Sequence, residues 1–239
     1  MLSIGTCILG NKPRVAIALR DDVTRGNADV FFSQGVDMVE MRVDQFSNTE
    51  ATYVIEHLRQ FSDIPCIGTI RCQQEGGSWS QEEHSRLALY QHIIPYVQAI
   101  DIEINADNIN RDCIRAAKQK NLTVIGSYHD FNKTPGKDAL EGILEKGKCL
   151  GVDIVKIASC CKNPTDLRTL ARFLLDHEDK ALIGIGMGDA GAPSRILFPF
   201  LGSLITYTFA GKPSAPGQFN CEETLQYLKA FSGASHLHE

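Results

Sequence analysis

LTVIGSYHDFNKTPGKDALEGILEKGKCLGVDIVKIA, residues 122–158, carries two runs of apolar and β-branched residues, LTVIGSY (122–128) and DIVKIA (153–158), with a more polar segment between them. Both runs are almost continuously apolar, which suits parallel strands buried on both faces. Two such strands joined by a helix make one βα unit. Six more runs extend the rhythm: VAIAL (15–19), DMVEMRV (37–43), CIGTIRC (66–72) and AIDIEI (99–104) before it, ALIGIGM (181–187) and GSLITYTF (202–209) after it. The intervals, about 20 to 33 residues, hold segments with helical marks. Thr49-Glu50 opens ATYVIEHLRQF, and Ser80 followed by Glu83 reads as a capping box ahead of RLALYQHIIPYV. Eight βα units predict an α/β fold, a (β/α)8 TIM barrel of one domain over residues 1–232, with a doubly wound sheet as the alternative. Gly233–Glu239 (GASHLHE) loses the periodicity and reads as a tail or the start of a linker.

The chain has 239 residues and is 43% apolar, enough for a sizeable core. Its 24 basic and 29 acidic side chains give a net charge of −5, so there is no basic excess to grip nucleic acid or an anionic membrane. That balance points to a small-molecule partner. The longest stretch without a charge, Ile196–Gly211, has 16 residues and contains Pro199, Gly202 and Ser203, too short and polar to span a bilayer. The N-terminus lacks the positive segment of a signal peptide, so a cytoplasmic location is expected. Eight cysteines include no CxxC pair, and no HExxH accompanies them, so buried reduced thiols and no metal site are expected.

In a barrel, chemistry gathers where strands end. Here the ends are polar: Glu40, Arg42 and Asp44; Thr69, Arg71 and then Glu75; Asp101 and Glu103; Ser127 and His129; Lys156. Alternation puts Glu40, Arg42 and Asp44 on one face, and Asp101 with Glu103 on another such face, so both sets can point into the barrel. A lone strand-end lysine is ordinarily solvated. Lys156 instead stands among apolar residues, where burial favours the neutral amine that attacks carbonyls. His129 on the preceding strand pairs with it as a proton shuttle. The carboxylates and arginines read equally well as salt-bridged barrel layers. Gly186–Gly191 matches GxGxxG, but no acidic residue follows between Asp189 and Glu222 to hold a ribose, which argues against a dinucleotide site.

Taken together, EMRVD (40–44), TIR (69–71), DIE (101–103), SYHDF (127–131) followed by NKTP, VKIA (155–158), Met187 leading to Ser194-Arg195, and SAPGQ (214–218) resemble the type I 3-dehydroquinate dehydratases. The likeness runs from about Val15 to Gln218. It implies dehydration of 3-dehydroquinate to 3-dehydroshikimate in the shikimate pathway of aromatic amino acid biosynthesis, without a cofactor. By the resemblance, Lys156 forms an imine with the ring ketone. His129 acts as base and then acid, and Glu75 orients it. Arg195, with Ser214 and Gln218 from a covering loop, holds the carboxylate, while Glu40, Arg42 and Arg71 hold ring hydroxyls and Met187 lines the pocket. Asp101 is expected beside Arg42 or Arg71. The resemblance also implies a homodimer and allows fusion to a shikimate dehydrogenase. Two other readings stand beside it, a class I aldolase, for which GIGMGDAG would supply a phosphate nest, and an inactive barrel that only binds a metabolite.

Overall fold

The computed structural model describes residues 1–211 and 217–232. Each of the eight apolar runs forms a strand: β3 (Arg14–Leu19), β4 (Met38–Arg42), β5 (Cys66–Thr69), β6 (Ala99–Glu103), β7 (Thr123–Asp130), β8 (Ile154–Cys160), β9 (Leu182–Met187) and β10 (Ile205–Phe209). All are parallel, in the order β10-β3-β4-β5-β6-β7-β8-β9, so consecutive strands are neighbours and the sheet curls into a barrel. Helices α1 (Arg25–Gln34), α2 (Ala51–Arg59), α3 (Glu83–Ile93), α4 (Asn110–Gln119), α5 (Lys137–Leu150), α6 (Pro164–Asp176), α7 (Ser194–Leu197) and α8 (Cys221–Ser232) fill the crossovers. None of the described helices is long and apolar enough to cross a membrane.

Closure is uneven. Seven parallel ladders join the strands, whereas β9 and β10 meet through one isolated bridge, Leu182 to Ser203, and one backbone hydrogen bond from the Leu204 N–H to the Leu182 carbonyl at 2.9 Å. Along this seam serine hydroxyls replace a partner strand. Ser203 Oγ accepts from Gly184 N–H at 3.0 Å, and Ser194 Oγ accepts from Gly186 N–H at 2.8 Å. The short helix α7 packs into the gap and brings Arg195 with it, and Thr206 Oγ1 donates to the Arg195 carbonyl at 2.6 Å.

The inward positions at the N-terminal end of the strands are apolar, including Met38, Ile67, Ile125, Ile154 and Ile183. An antiparallel hairpin that periodicity did not reveal, β1 (Ser3–Ile4) and β2 (Cys7–Ile8), plugs that end with Ile4, Cys7 and Leu9. A second apolar shell lies between the strands and the helices, built from residues such as Val39, Leu58, Tyr90 and Ile100.

Two expectations need correcting. The capping box at Ser80 does not form. Helix α3 begins at Glu83 after Glu82, with no side-chain cap, so Glu83 is its first residue and not its third. True side-chain caps occur on α1, where Thr24 accepts from the Asn27 N–H, and on α6, where Asn163 accepts from the N–H groups of Thr165 and Asp166. The cysteines are all free but not all buried: Cys149 is exposed, and Cys72 and Cys160 are half-buried. Two of the three GxGxxG glycines, Gly186 and Gly191, serve packing. A Cβ on Gly191 would lie 2.5 Å from the Gly186 carbonyl carbon, so neither residue tolerates a side chain there.

Candidate active site

Glu40, Arg42, Arg71, Glu75, His129, Lys156, Met187, Arg195 and Gln218 all line one cleft of about 520 Å³, mouth included, at the C-terminal end of the barrel. Thus nine of the ten residues to which the resemblance gives a catalytic or binding role meet in space. The tenth, Ser214, lies outside the described residues, as do Gly233–Glu239.

Strand register sets the centre. Lys156 on β8 stands opposite Ser127 on β7, and His129 follows two residues later on the same face. The flanking apolar residues bury Lys156 to 4% exposure. Its nitrogen nevertheless has polar company, which the apolar flanks of the motif did not suggest. Nζ donates to Asp101 Oδ2 at 2.9 Å, and Glu40 Oε1 lies 3.5 Å away. The ring of Tyr207 on β10 presents its face with the centroid 4.2 Å from Nζ, within cation–π range.

Asp101 sits beside Arg71, as expected, and also beside Lys156. Its Oδ1 accepts from Arg71 Nη2 at 2.5 Å and from Ser127 Oγ at 2.6 Å. Burial works to raise this carboxyl, and the Arg71 and Lys156 charges overcome it, holding Asp101 below the usual carboxylate range. Glu40 accepts from Thr69 Oγ1 at 3.0 Å. Arg42 is held in a fork by Asp44 at 3.0 and 2.8 Å, and Asp44 also accepts from the Ser78 N–H at 3.0 Å.

His129 is backed by Glu75, whose Oε2 lies 2.9 Å from both the backbone N–H and Nδ1 of the histidine. We assign the ring proton to Nδ1, since Oε2 then accepts both hydrogen bonds and Nε2 keeps a free lone pair. Burial, reinforced by the charges of Arg71 and Lys156, holds the imidazole well below its ordinary 6.5, so it is neutral and able to take a proton. Burial also pushes the Glu75 carboxyl up to about 8, against the opposing pull of Arg71. Such opposed displacements of neighbouring groups mark proton-transfer sites. Burial pulls Arg195 down to about 10, which leaves the guanidinium charged at neutral pH.

Three of the four glycines of GIGMGDAG have their N–H groups already engaged, Gly184 by Ser203 Oγ at 3.0 Å. The N–H groups of Gly186, Gly191 and Ala192 are already used by Ser194 Oγ, the Gly188 carbonyl and the Asp189 carbonyl. That leaves fewer amides for a phosphate and weakens the case for an aldolase.

The type I 3-dehydroquinase family model matches residues 21–235 of this chain. The chain belongs to that family. A type I 3-dehydroquinase likeness also extends along whole sequences. The 3-dehydroquinate dehydratase of Thermodesulfovibrio yellowstonii is 37% identical over 225 residues, covering 93% of this chain and 97% of its own. That of Methanococcoides burtonii is 34% identical over 233 residues, covering 96% and 99%. Among solved structures, the Clostridium difficile type I enzyme, with covalently modified comenic acid, superposes with a TM-score of 0.87 at 27% identity over 98% of both chains. A Schizosaccharomyces pombe chain carrying dehydroquinate dehydratase and shikimate dehydrogenase shares the fold over 44% of its length, with a TM-score of 0.74 and 21% identity.

Sequence reasoning passed over Tyr207 and Arg86, and gave Thr69 and Ser127 no role. A tyrosine in a strand reads as a β-former, and a strand hydroxyl as neutral filling. Arg86 reads as one more charge on a surface helix, yet it is 1% exposed and reaches inward to Glu103 with Nη1–oxygen distances of 3.1 and 2.9 Å.

Proposed function

We propose that this chain converts 3-dehydroquinate to 3-dehydroshikimate through an imine on Lys156, with His129 as the acid–base group. Dehydration of 3-dehydroquinate in the shikimate pathway is the activity of its family, and the chain is a hydro-lyase. The finer steps rest on one observation. A buried lysine and a glutamate-backed neutral histidine, on adjacent strands, open into the same cleft.

The Lys156 ammonium gives a proton to the neutral imidazole of His129 and its amine then adds to the ring ketone; the imidazolium returns that proton to the carbinolamine hydroxyl, which leaves as water and yields a protonated imine. That cation withdraws electrons from the neighbouring carbon, whose C–H becomes acidic. His129 Nε2 takes the proton to give an enamine, and the resulting imidazolium returns it to the departing hydroxyl. Glu75 holds Nδ1, so the ring presents Nε2 to the substrate and its brief positive charge lies beside a carboxyl group. Asp101 and Glu40 stabilise positive charge at the lysine nitrogen before and after imine formation. Arg195 and Gln218 flank the cleft where a substrate carboxylate would sit, and a guanidinium offers it two parallel donors. Arg42 is anchored by Asp44, and Arg71 by Asp101, Glu103 and the Ser127 hydroxyl, and each offers its remaining N–H groups to ring hydroxyls.

Borohydride reduction in the presence of substrate or product tests this directly. Irreversible inactivation is expected, with the mass of the reduced adduct on the peptide carrying Lys156. An adduct on another lysine, or full turnover by Lys156→Ala, would overturn it.

A further inference from the structure

Arg86 belongs to α3, on the outside of the barrel, yet its guanidinium is buried against the wall of the site. Nη2 donates to Glu83 Oε2 at 2.7 Å, and Nη1 lies 3.1 and 2.9 Å from the two oxygens of Glu103 and 3.1 Å from the Ile70 carbonyl. Glu103 also accepts from the Cys72 N–H at 2.8 Å and lies 3.2 Å from Arg71 Nη1. Arg71 in turn holds Asp101, which holds Lys156. Opposite charges therefore alternate without a break from the outer helix to the barrel axis: Glu83, Arg86, Glu103, Arg71, Asp101, Lys156.

Arg71 is shared by two carboxylates in this series. Its contact with Asp101 is the shorter, at 2.5 Å, while Glu103 is served mainly by the two oxygen contacts of Arg86. We propose that Arg86 is a positioning residue for the dehydration: by balancing Glu103 it leaves the Arg71 guanidinium on Asp101, beside Lys156 and His129. The inference rests on the role given above to His129 as the base.

The neighbours of both groups agree on the direction. Glu103 is faced by Arg71, Cys72 and Glu75 after β5, by Arg86 and Tyr90 of α3, and by Cys113 of α4. His129 is faced by Glu75 and Arg71 after β5, by Asp101 of β6, Lys156 of β8 and Arg42 of β4. Removing the Arg86 charge leaves Glu103 unbalanced. That adds negative potential near the pair formed by His129 and Glu75, and it draws Arg71 away from them. Both changes favour the protonated imidazole.

The test is the acid limb of kcat/KM against pH in Arg86→Gln, Glu103→Gln and the double variant. Arg86→Gln should move the limb to higher pH, on the order of one pH unit for an uncompensated buried charge at this range. Glu103→Gln should move it to lower pH, and the double variant, with both charges gone, should return close to the parent profile. If Arg86→Gln does not fold, Glu103→Gln and the double variant still carry opposite expectations. A merely structural arginine would lower the melting temperature and leave the limb where it was. An unmoved limb in Glu103→Gln, or two single variants shifting the same way, would overturn the inference. Borohydride trapping run in parallel separates this from failure of the imine reading, which would show as no adduct in the parent protein.

Discussion

The two ends of the barrel interior are built on the same strands and the same alternation, and they hold opposite kinds of side chain. At the N-terminal end Met38, Ile67, Ala99, Ile125, Ile154, Ile183 and Ile205 close over one another beneath the hairpin. Two residues further along these seven strands stand Glu40, Thr69, Asp101, Ser127, Lys156 and Tyr207, with one apolar exception, Ile185. Period-two alternation points both sets inward, so the backbone does not distinguish them. Burial of apolar surface stabilises the first layer. The second layer buries charges, which is tolerable only because each is paired and hydrogen-bonded. One end of the interior therefore holds the fold together, and the other draws on that stability to keep reactive groups out of water.

The sharpest way to break this contrast is to substitute neighbours on β8. Lys156→Met should lower kcat by at least about 10⁴-fold, as loss of a covalent nucleophile does. Ile154→Ala, two residues earlier, should instead cost about 2–5 kcal/mol in denaturant unfolding and keep the folded protein's kcat within a few-fold. A collapse of kcat in Ile154→Ala, with unchanged unfolding, would show that the two layers are not separable.

Within the reactive layer, His129→Ala should lose on the order of 10²-fold or more in turnover and still trap substrate on Lys156. Near-normal turnover would remove His129 from proton transfer. At the seam, Ser203→Ala strips the hydrogen bond from the buried Gly184 N–H and should destabilise by about 1–3 kcal/mol. Thermal or urea unfolding that matches the parent would mean that water or a backbone shift replaces the hydroxyl. The smallest effect concerns pH. Because the folded imidazole of His129 sits well below 6.5, the base form persists as pH falls through 6.5, and the acid limb of kcat/KM should lie below that value. For this group the linkage has the matching sign: the unfolded chain takes up the His129 proton first, so its contribution to unfolding free energy declines as pH drops below 6.5, while Glu75, raised to about 8, contributes in the opposite direction. An acid limb above 6.5 would contradict the buried, cation-flanked setting.

Most of the architecture was legible because buried parallel strands need apolar runs, and eight such runs at βα spacing admit few alternatives. The hairpin was not, since two strands of two residues around Gly5 have no period to detect. The site was legible where a residue type is unusual for its place, as with Lys156 in DIVKIA. It was opaque where function depends on who stands opposite. Nothing near Arg86 in sequence points to Glu103, 17 residues away and on the other side of the barrel wall. Equally, the apolar flanks of Lys156 foretold its burial and not its two carboxylate neighbours, which come from β4 and β6.

The uneven closure between β9 and β10 has a mechanical meaning. A barrel laddered all the way round can widen only by bending every strand, whereas one joint fastened by serine hydroxyls behaves as a clasp. Gly184 and Gly186, whose amides that clasp secures, should exchange their protons for solvent deuterium sooner than the amides of Ser127 or Ile157 in the long ladder between β7 and β8. Arg195 rides on the helix wedged into that joint. A ligand gripping Arg195 would therefore tighten the ring at its weakest point, and the slowing of exchange at those two glycines would report it.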